Sequence, residues 1–329
     1  MRESLRDICE GFIENRDKLK GSISGGNGYI YPVCAAIFTD KRQKVDVKRV
    51  QECKELLKQN TGFFSSFRGT VKLPMISMMA VDPNPNEKLR KALNIYESLK
   101  EHFYASAYLP VAAMVIADVE GNDNLRDISA RTRGIYKLMK KEHPFLTSSE
   151  DSVFAALLAL SKLKDEEIVK ETEACYQLLK REFTSGNAVQ SLSHVLSLGE
   201  GTAEEKCGKV IDLYRGLKNK GSAYGKHYEL STLGVLALLP VDMTSLITDI
   251  IEVDDFLSRQ KGYGFFGLGK KLRLMHAGML VSSDYIGNKD NLMMNSAVLS
   301  GTVALIVAQQ AALVATIAAT SAAASSASN

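Results

Sequence analysis

The chain has 329 residues, 45% of them hydrophobic and 24% charged, which describes a globular protein with room for one large domain or two ordinary ones. Its 41 Lys and Arg nearly cancel 38 Asp and Glu, so net charge gives no reason to expect nucleic acid or an acidic partner. The 5 Cys (9, 34, 53, 175, 207) are widely spaced with no C-x-x-C pair, which argues against a disulfide framework or a zinc site and for reduced thiols in the cytoplasm. The charged opening, residues 1–7, reads as lacking a secretory signal.

The predicted elements come in pairs, an outer amphipathic helix followed by a buried apolar one. The first pair covers about 5–40, with a glycine loop at 21–28. The second covers about 47–81, and its loop, 60–69, contains Phe63, Phe64 and Phe67. The turn 82–86 closes it, with Asn86 as the expected cap of the third pair. That third pair, 89–118, shows the pattern most clearly. Leu89, Ala92, Leu93, Tyr96 and Leu99 fall at helical spacing, then a linker 102–106, then an apolar run 109–117. The fourth covers 128–163, with a box-like Ser148-x-x-Asp151 before its second helix. The fifth opens on Asp165, Glu166 and Glu167, an N-cap and an acidic first turn. The sixth opens on the capping box Thr202-x-x-Glu205 and ends at Pro240, and the seventh runs over about 245–284.

One apolar anchor, usually followed by Lys, sits near the end of each first helix: Leu19, Leu57, Leu99, Met139, Leu179 and Leu217. The intervals are 38, 42, 40, 40 and 38, and Leu257 follows after another 40. A Tyr three residues earlier recurs at 96, 136, 176 and 214. A fixed period near 40 is the mark of stacked helical hairpins that cannot bury their own apolar faces alone. The second members might instead be parallel strands, but their Ala, Leu and Met content favours helix. Pro32, Pro74 and Pro110 near three of their starts suit a first helical turn.

The C-terminal stretch, 291–329, has no charged residue. Its segment 297–319 would span about 35 Å as a helix, enough for a bilayer, although Gln309 and Gln310 lie in its middle. The readings are a membrane-inserted tail, a helix packing on the hairpins or pairing with another copy, and a frayed end.

Chemistry-bearing motifs are sparse. Gly262 to Gly267 matches G-x-G-x-x-G, and Gly264 to Lys271 lies one residue from a P-loop. Lys271 stands where a magnesium-binding Ser or Thr is needed, and a helix precedes where a strand is needed. A simple anion site at Gly267, Gly269, Lys270 and Lys271 is the functional reading, and a glycine-rich turn is the structural one. Eight of the 12 Phe lie in inter-helix loops: 63, 64, 67, 103, 145, 183, 265 and 266. They either line a recognition edge or plug each hairpin against the next. Phe67, Arg68, Phe103, Tyr224 and Lys226 are the binding candidates on that edge. The 5 His have no metal-ligand spacing; His194 and His276 lie in apolar second helices and read as core. The acidic pairs at 150–151 and 166–167 sit at helix starts, and Asp254 and Asp255 read as solvated. No catalytic set, metal site or cofactor site can be assembled.

The unit Tyr29-Ile30-Tyr31-Pro32-x-x-Ala35-Ala36, the run Ser66-Phe67-Arg68-Gly69 and the Ala/Ser tail after Gln309-Gln310 resemble the bacterial family called domain of unknown function 4003. The likeness covers nearly the whole chain and implies a bacterial protein of about this length. The family supplies no established activity, substrate or cofactor, so the resemblance assigns no residue a role.

The expected fold is therefore all-α: about seven helical hairpins in an α-solenoid or α/α toroid over 1–290, then an Ala-rich helix and tail over 291–329. The expected function is a non-catalytic binding protein or scaffold in the cytoplasm, holding a protein, peptide or small ligand on its loop edge. The alternatives are an α/α-toroid enzyme with a polar pocket and a membrane accessory protein anchored by 297–319.

Overall fold

The computed structural model describes residues 1–23, 28–62, 65–119, 125–161, 163–264, 267–287 and 316–317. Apart from Thr316 and Ile317, the 291–329 tail lies outside the described residues, as do Phe63, Phe64, Phe265 and Phe266. Fourteen α-helices occur among the described residues, with no strand. They are α1 (Glu3–Ser22), α2 (Ile30–Asp40), α3 (Val47–Asn60), α4 (Lys72–Ala80), α5 (Pro85–Lys100), α6 (Leu109–Val119) and α7 (Leu125–Glu142). Then follow α8 (Asp151–Ala159), α9 (Asp165–Leu179), α10 (Gly186–Ser197), α11 (Ala203–Asn219), α12 (Leu230–Leu238), α13 (Met243–Ser258) and α14 (Lys270–Gly287). The chain is all-α. Among the described residues no helix is long and apolar enough to cross a membrane.

The chain divides into two compact units, Met1–Ile13 with Lys170–Leu313, and Glu14–Val169 with Val314–Asn329. We call them unit 1 and unit 2; two of the three boundaries fall inside α1 and α9. In unit 2, α3 packs on α4, α5 on α6, and α7 on α8. The second members also form a row of their own, α2 against α4, α4 against α6, and α6 against α8. Unit 1 follows the same rule, with α11 on α12, α13 on α14, and a row α10, α12, α14. The composition explains this division of labour. Every residue from Leu73 to Ala80 in α4, and from Asp151 to Ala159 in α8, is buried. In α5 only Lys88, Leu89, Ala92, Ile95, Tyr96 and Leu99 are, one stripe at helical spacing. All seven anchors, Leu19 through Leu257, are buried. Each contributes roughly 1.5–3 kcal/mol by leaving water.

Caps set several helix starts. Asp46 accepts from the Lys48 and Arg49 amides at α3. Thr202 and Glu205 form the expected reciprocal box at α11, with N···O distances of 3.2 and 3.0 Å. At α5 the cap is Asn84, not Asn86: Asn84 accepts from the Glu87 amide, and Pro85 takes the first helical position. A proline there loses no needed N–H, so the helix begins two residues before the sequence suggests. At α8 the expected box is half present. The Asp151 carboxylate accepts from the Ser148 amide at 2.8 Å, while no side chain caps Asp151's own end of the helix.

Helix ends are held by a device the anchors conceal. Eight residues before Leu57, Leu99 and Met139 stand Arg49, Lys91 and Arg131. Arg49 donates to the carbonyls of Ala80 (2.8 Å), Asp82 and Pro83 (3.2 Å) at the end of α4. Lys91 donates to Ala117 at 3.0 Å in α6. Arg131 donates to Ala159 (2.8 Å), Ser161 (2.7 Å) and Leu163 beyond α8. A cation on the first helix thus satisfies the orphan carbonyls of its own second helix, where the dipole favours positive charge.

Two further expectations change. Asp254 is buried, held by the Arg273 guanidinium at 2.7 and 3.2 Å, while Asp255 alone is solvent-facing, beside Arg259. Asp165 is a helical residue, and its carboxylate takes Arg131 at 2.8 Å. All five cysteines are free and buried.

Candidate functional site

The loops that join the helices of each pair carry the aromatic residues, and three of those aromatics make the same contact. The Phe67 ring meets Tyr96 edge-on, centroids 5.1 Å apart at 76°. Phe103 meets Tyr136 at 5.1 Å and 80°, and Phe183 meets Tyr214 at 5.2 Å and 85°. In each case a loop Phe of one hairpin packs on the recurrent Tyr of the next first helix, the arrangement aromatic quadrupoles favour. A cation covers each pair: Lys100 over Tyr96 at 5.4 Å, Arg133 over Phe103 at 5.4 Å, and Lys226 over Tyr214 at 5.2 Å. Lys100 is paired with Glu97 at 3.0 Å. Arg133 and Lys226 have no carboxylate partner among the described residues.

Buried and solvent-facing loop aromatics are both present, and they are different residues. Phe67 and Phe183 are fully buried and Phe103 is half-buried. Tyr104 and Phe145, in unit 2, are 97% and 98% exposed. The register explains the difference. Phe103 and Phe183 lie four residues after their anchors, where the chain turns inward; the fourth residue after Met139 is His143. There the chain closes a tight turn, with the Leu146 and Thr147 amides donating to the His143 carbonyl at 3.2 and 2.9 Å. Thr147 is buried, and Phe145 at the apex is turned out.

Tyr136 brings the two loops of unit 2 together. Its ring receives Phe103 from 101–108, and its hydroxyl donates to the Ser148 carbonyl in 143–150 at 3.2 Å. Burial raises the Tyr108 hydroxyl pKa, and the Glu150 charge raises it further. Below this edge lies Asp151. Burial, with a smaller push from Glu150, lifts its carboxyl to about 7, against the pull of the Ser148 amide and of Lys140. Burial raises Glu150 as well. Lys140 donates to the Thr147 carbonyl at 2.7 Å and so braces the same turn.

The expected candidates in unit 1 have the following surroundings. Tyr224 is buried, its hydroxyl 2.6 Å from that of Thr232, with burial raising its pKa. A Cβ on Gly278 would lie 2.9 Å from that hydroxyl, so Tyr224 is packed against α14 and presents nothing to solvent. Lys226 stays half-exposed over its aromatic pair. Lys270 donates to the Gly221 carbonyl at 2.7 Å, away from the glycine loop that precedes it. Gly267 closes that loop: its own Cβ would fall 2.1 Å from the Gly262 carbonyl oxygen, and Gly262 has φ +90°. The Leu268 amide donates to that same oxygen at 2.8 Å. The glycines thus serve a compact turn, while Gly269 and Lys271 are exposed at the start of α14. Arg68 is half-buried in a 3-10 turn beside Phe67. His276 is core, its Nδ1 2.8 Å from the Tyr263 hydroxyl, and His194 is buried in α10. Among the described residues no group of three or more His, Cys, Asp or Glu is placed to hold a metal ion.

Two residues of the edge escape sequence reasoning, Tyr104 and Arg133, while Phe145 is read only as one of eight loop aromatics and Asp151 only as part of a helix start. Arg133 precedes Tyr136 by one helical turn, which is a readable stacking signal. The outward set of Tyr104 and Phe145 is not readable, because it depends on which neighbouring hairpin supplies a partner.

No solved structure matches the chain. It is similar to the uncharacterized protein YeaA of Bacillus subtilis (strain 168), 23% identical over 318 residues, spanning 95% of this chain and 93% of that one. A family model described as "Protein of unknown function (DUF4003)" matches residues 15–311. The anchors, the aromatic pairs and the carbonyl clamps all lie within that span, and the chain belongs to the DUF4003 family.

Proposed function

We propose that this protein is a non-catalytic binding protein or scaffold that holds a protein or peptide on the loop edge of unit 2. The observation that supports the reading is the pair Tyr104 and Phe145, almost wholly exposed on loops that Tyr136 ties together. Large aromatics held in water by an ordered frame favour recognition, since they bury much area on binding at little conformational cost. The binding body in this reading is 1–290, with 291–329 as an accessory segment. Five free, buried thiols support a reducing compartment such as the cytoplasm.

The test compares the intact chain with a Tyr104→Ser/Phe145→Ser variant as baits against extract of the source cells. The expected result is a protein that the first retains and the second loses, and that rebinds when both are purified. Identical retained sets overturn the reading.

A second reading rests on the uncharged tail: membrane attachment through 297–319. Carbonate-washed membrane fractions of the intact chain and of a chain ending at Asp290 separate the two. Retention of only the intact chain favours the anchor, and loss of both from the pellet removes it.

A further inference from the structure

Resting on the loop-edge reading, the geometry points to a partner segment that carries an acidic side chain beside an aromatic or branched aliphatic one. We infer that Arg133 receives the carboxylate while Tyr104 and Phe145 cover the apolar neighbour.

The argument starts from charge. Near-neutral net charge hides a local excess: α7 carries Arg126, Arg131, Arg133, Lys137, Lys140 and Lys141 against Asp127 and Glu142. Arg131 is consumed by Asp165 and by three carbonyls, and Lys140 by Thr147. Arg133 and Lys137, one turn apart on one face, are left without a carboxylate among the described residues. Arg133 is also seated. Its guanidinium carbon lies 5.4 Å from the Phe103 centroid and 5.8 Å from that of Tyr136, and the side chain stays half-exposed beside the two rings. An arginine held in this way loses little entropy when it takes a carboxylate in two parallel hydrogen bonds. The comparable cation at the Phe67–Tyr96 pair, Lys100, already has Glu97, whereas Arg133 has no carboxylate among the described residues.

The aromatic part of the surface adjoins it. Tyr104 follows Phe103 directly, and Phe145 lies three residues before Ser148, whose carbonyl Tyr136 holds. Glu101, Glu142 and Glu150 stand at the same edge and oppose any anion away from Arg133 and Lys137, so a segment with a single carboxylate fits better than a nucleic-acid strand with a phosphate at every residue.

The test uses the full chain and a displayed library of random peptides. Selected peptides are expected to be enriched in Asp or Glu within a few residues of Phe, Tyr, Trp, Leu or Ile. Binding of a selected peptide should weaken roughly tenfold or more in Arg133→Glu, as loss of a charged hydrogen bond implies. It should weaken in the same direction in Lys137→Glu, a solvent-facing site where the fold is not at stake, and fall as salt is raised. Peptides that need Tyr104 and Phe145, carry no acidic excess and ignore both reversals overturn this inference and leave the loop-edge reading standing. No peptide dependent on Tyr104 and Phe145 overturns both. A poly-uridine oligonucleotide that binds through Arg133 in place of any peptide, or a chain whose self-association disappears in Tyr104→Ser/Phe145→Ser, also overturns it.

Discussion

Phe183 stands edge-on to Tyr214, 5.2 Å between centroids and 85° between planes, and so joins the loop of one hairpin to the first helix of the next. The contact is buried on both sides. Its energy has two parts, the area removed from water and the alignment of the rings. Phe183→Ala is expected to cost about 3–5 kcal/mol of unfolding free energy. A double-mutant cycle of Phe183→Leu with Tyr214→Leu should show a coupling of about 0.5–1.5 kcal/mol. Urea unfolding of the four proteins checks both figures, and a coupling near zero would mean that the rings touch without favouring one another.

Arg131 offers a second test. It serves three carbonyls and one carboxylate, whereas Lys91 serves one carbonyl. Arg131→Met keeps much of the aliphatic packing and strands those acceptors. It should cost about 1–3 kcal/mol, and Lys91→Met about 1 kcal/mol or less. Equal losses in chemical denaturation would show that the clamp at α8 has no special weight.

Asp151 makes stability depend on pH. Its folded carboxyl sits at about 7, above the ordinary 3.8, because burial opposes charge. Between those values the folded chain keeps a proton that the unfolded chain releases. Stability therefore falls as pH rises from about 4 to 7, and the penalty is fully present above 7. Asp151→Asn keeps an acceptor for the Ser148 amide without the charge. It should match the wild type at pH 4 and exceed it by about 1–3 kcal/mol at pH 8. Thermal melts across that range are decisive, and parallel curves for the two proteins would contradict the burial of a neutral carboxyl.

Gly278 lets α14 approach Tyr224. Gly278→Ala places a methyl 2.9 Å from both the Tyr224 hydroxyl and a Leu236 methyl, which costs about 1–3 kcal/mol of overpacking. Adding Tyr224→Phe removes one of the two clashes, so the double variant should lose less than the sum of the singles in calorimetric melts.

Much of the fold was legible because helix formation is local. The stripe 89, 92, 96, 99 needs only its own spacing to form one face, and Thr202 with Glu205 needs only three intervening bonds to cap α11. Asn86 misled because Asn84 two residues earlier offers the same side chain, and Pro85 between them decides in favour of the earlier cap. Asp254 misled for a different reason. Adjacent helical residues point about 100° apart, so Asp254 and Asp255 can meet different surroundings, and the pattern alone does not say which meets Arg273 nineteen residues on.

What the sequence determined by itself is the class and the rhythm: helices in pairs, the apolar anchors from Leu19 to Leu257, and the family resemblance carried by its short motifs. What only the tertiary structure decided is which aromatics face inward. Phe67, Phe183 and Tyr224 find partners on neighbouring elements and are buried, while Tyr104 and Phe145, aromatic like them and also in loops, find none among the described residues and face water. The reason is physical. A residue's helical face follows from neighbours three and four places away, whereas burial of a loop side chain follows from contacts with other elements, 29 residues on for Phe67 and 31 for Phe183, which no local spacing encodes.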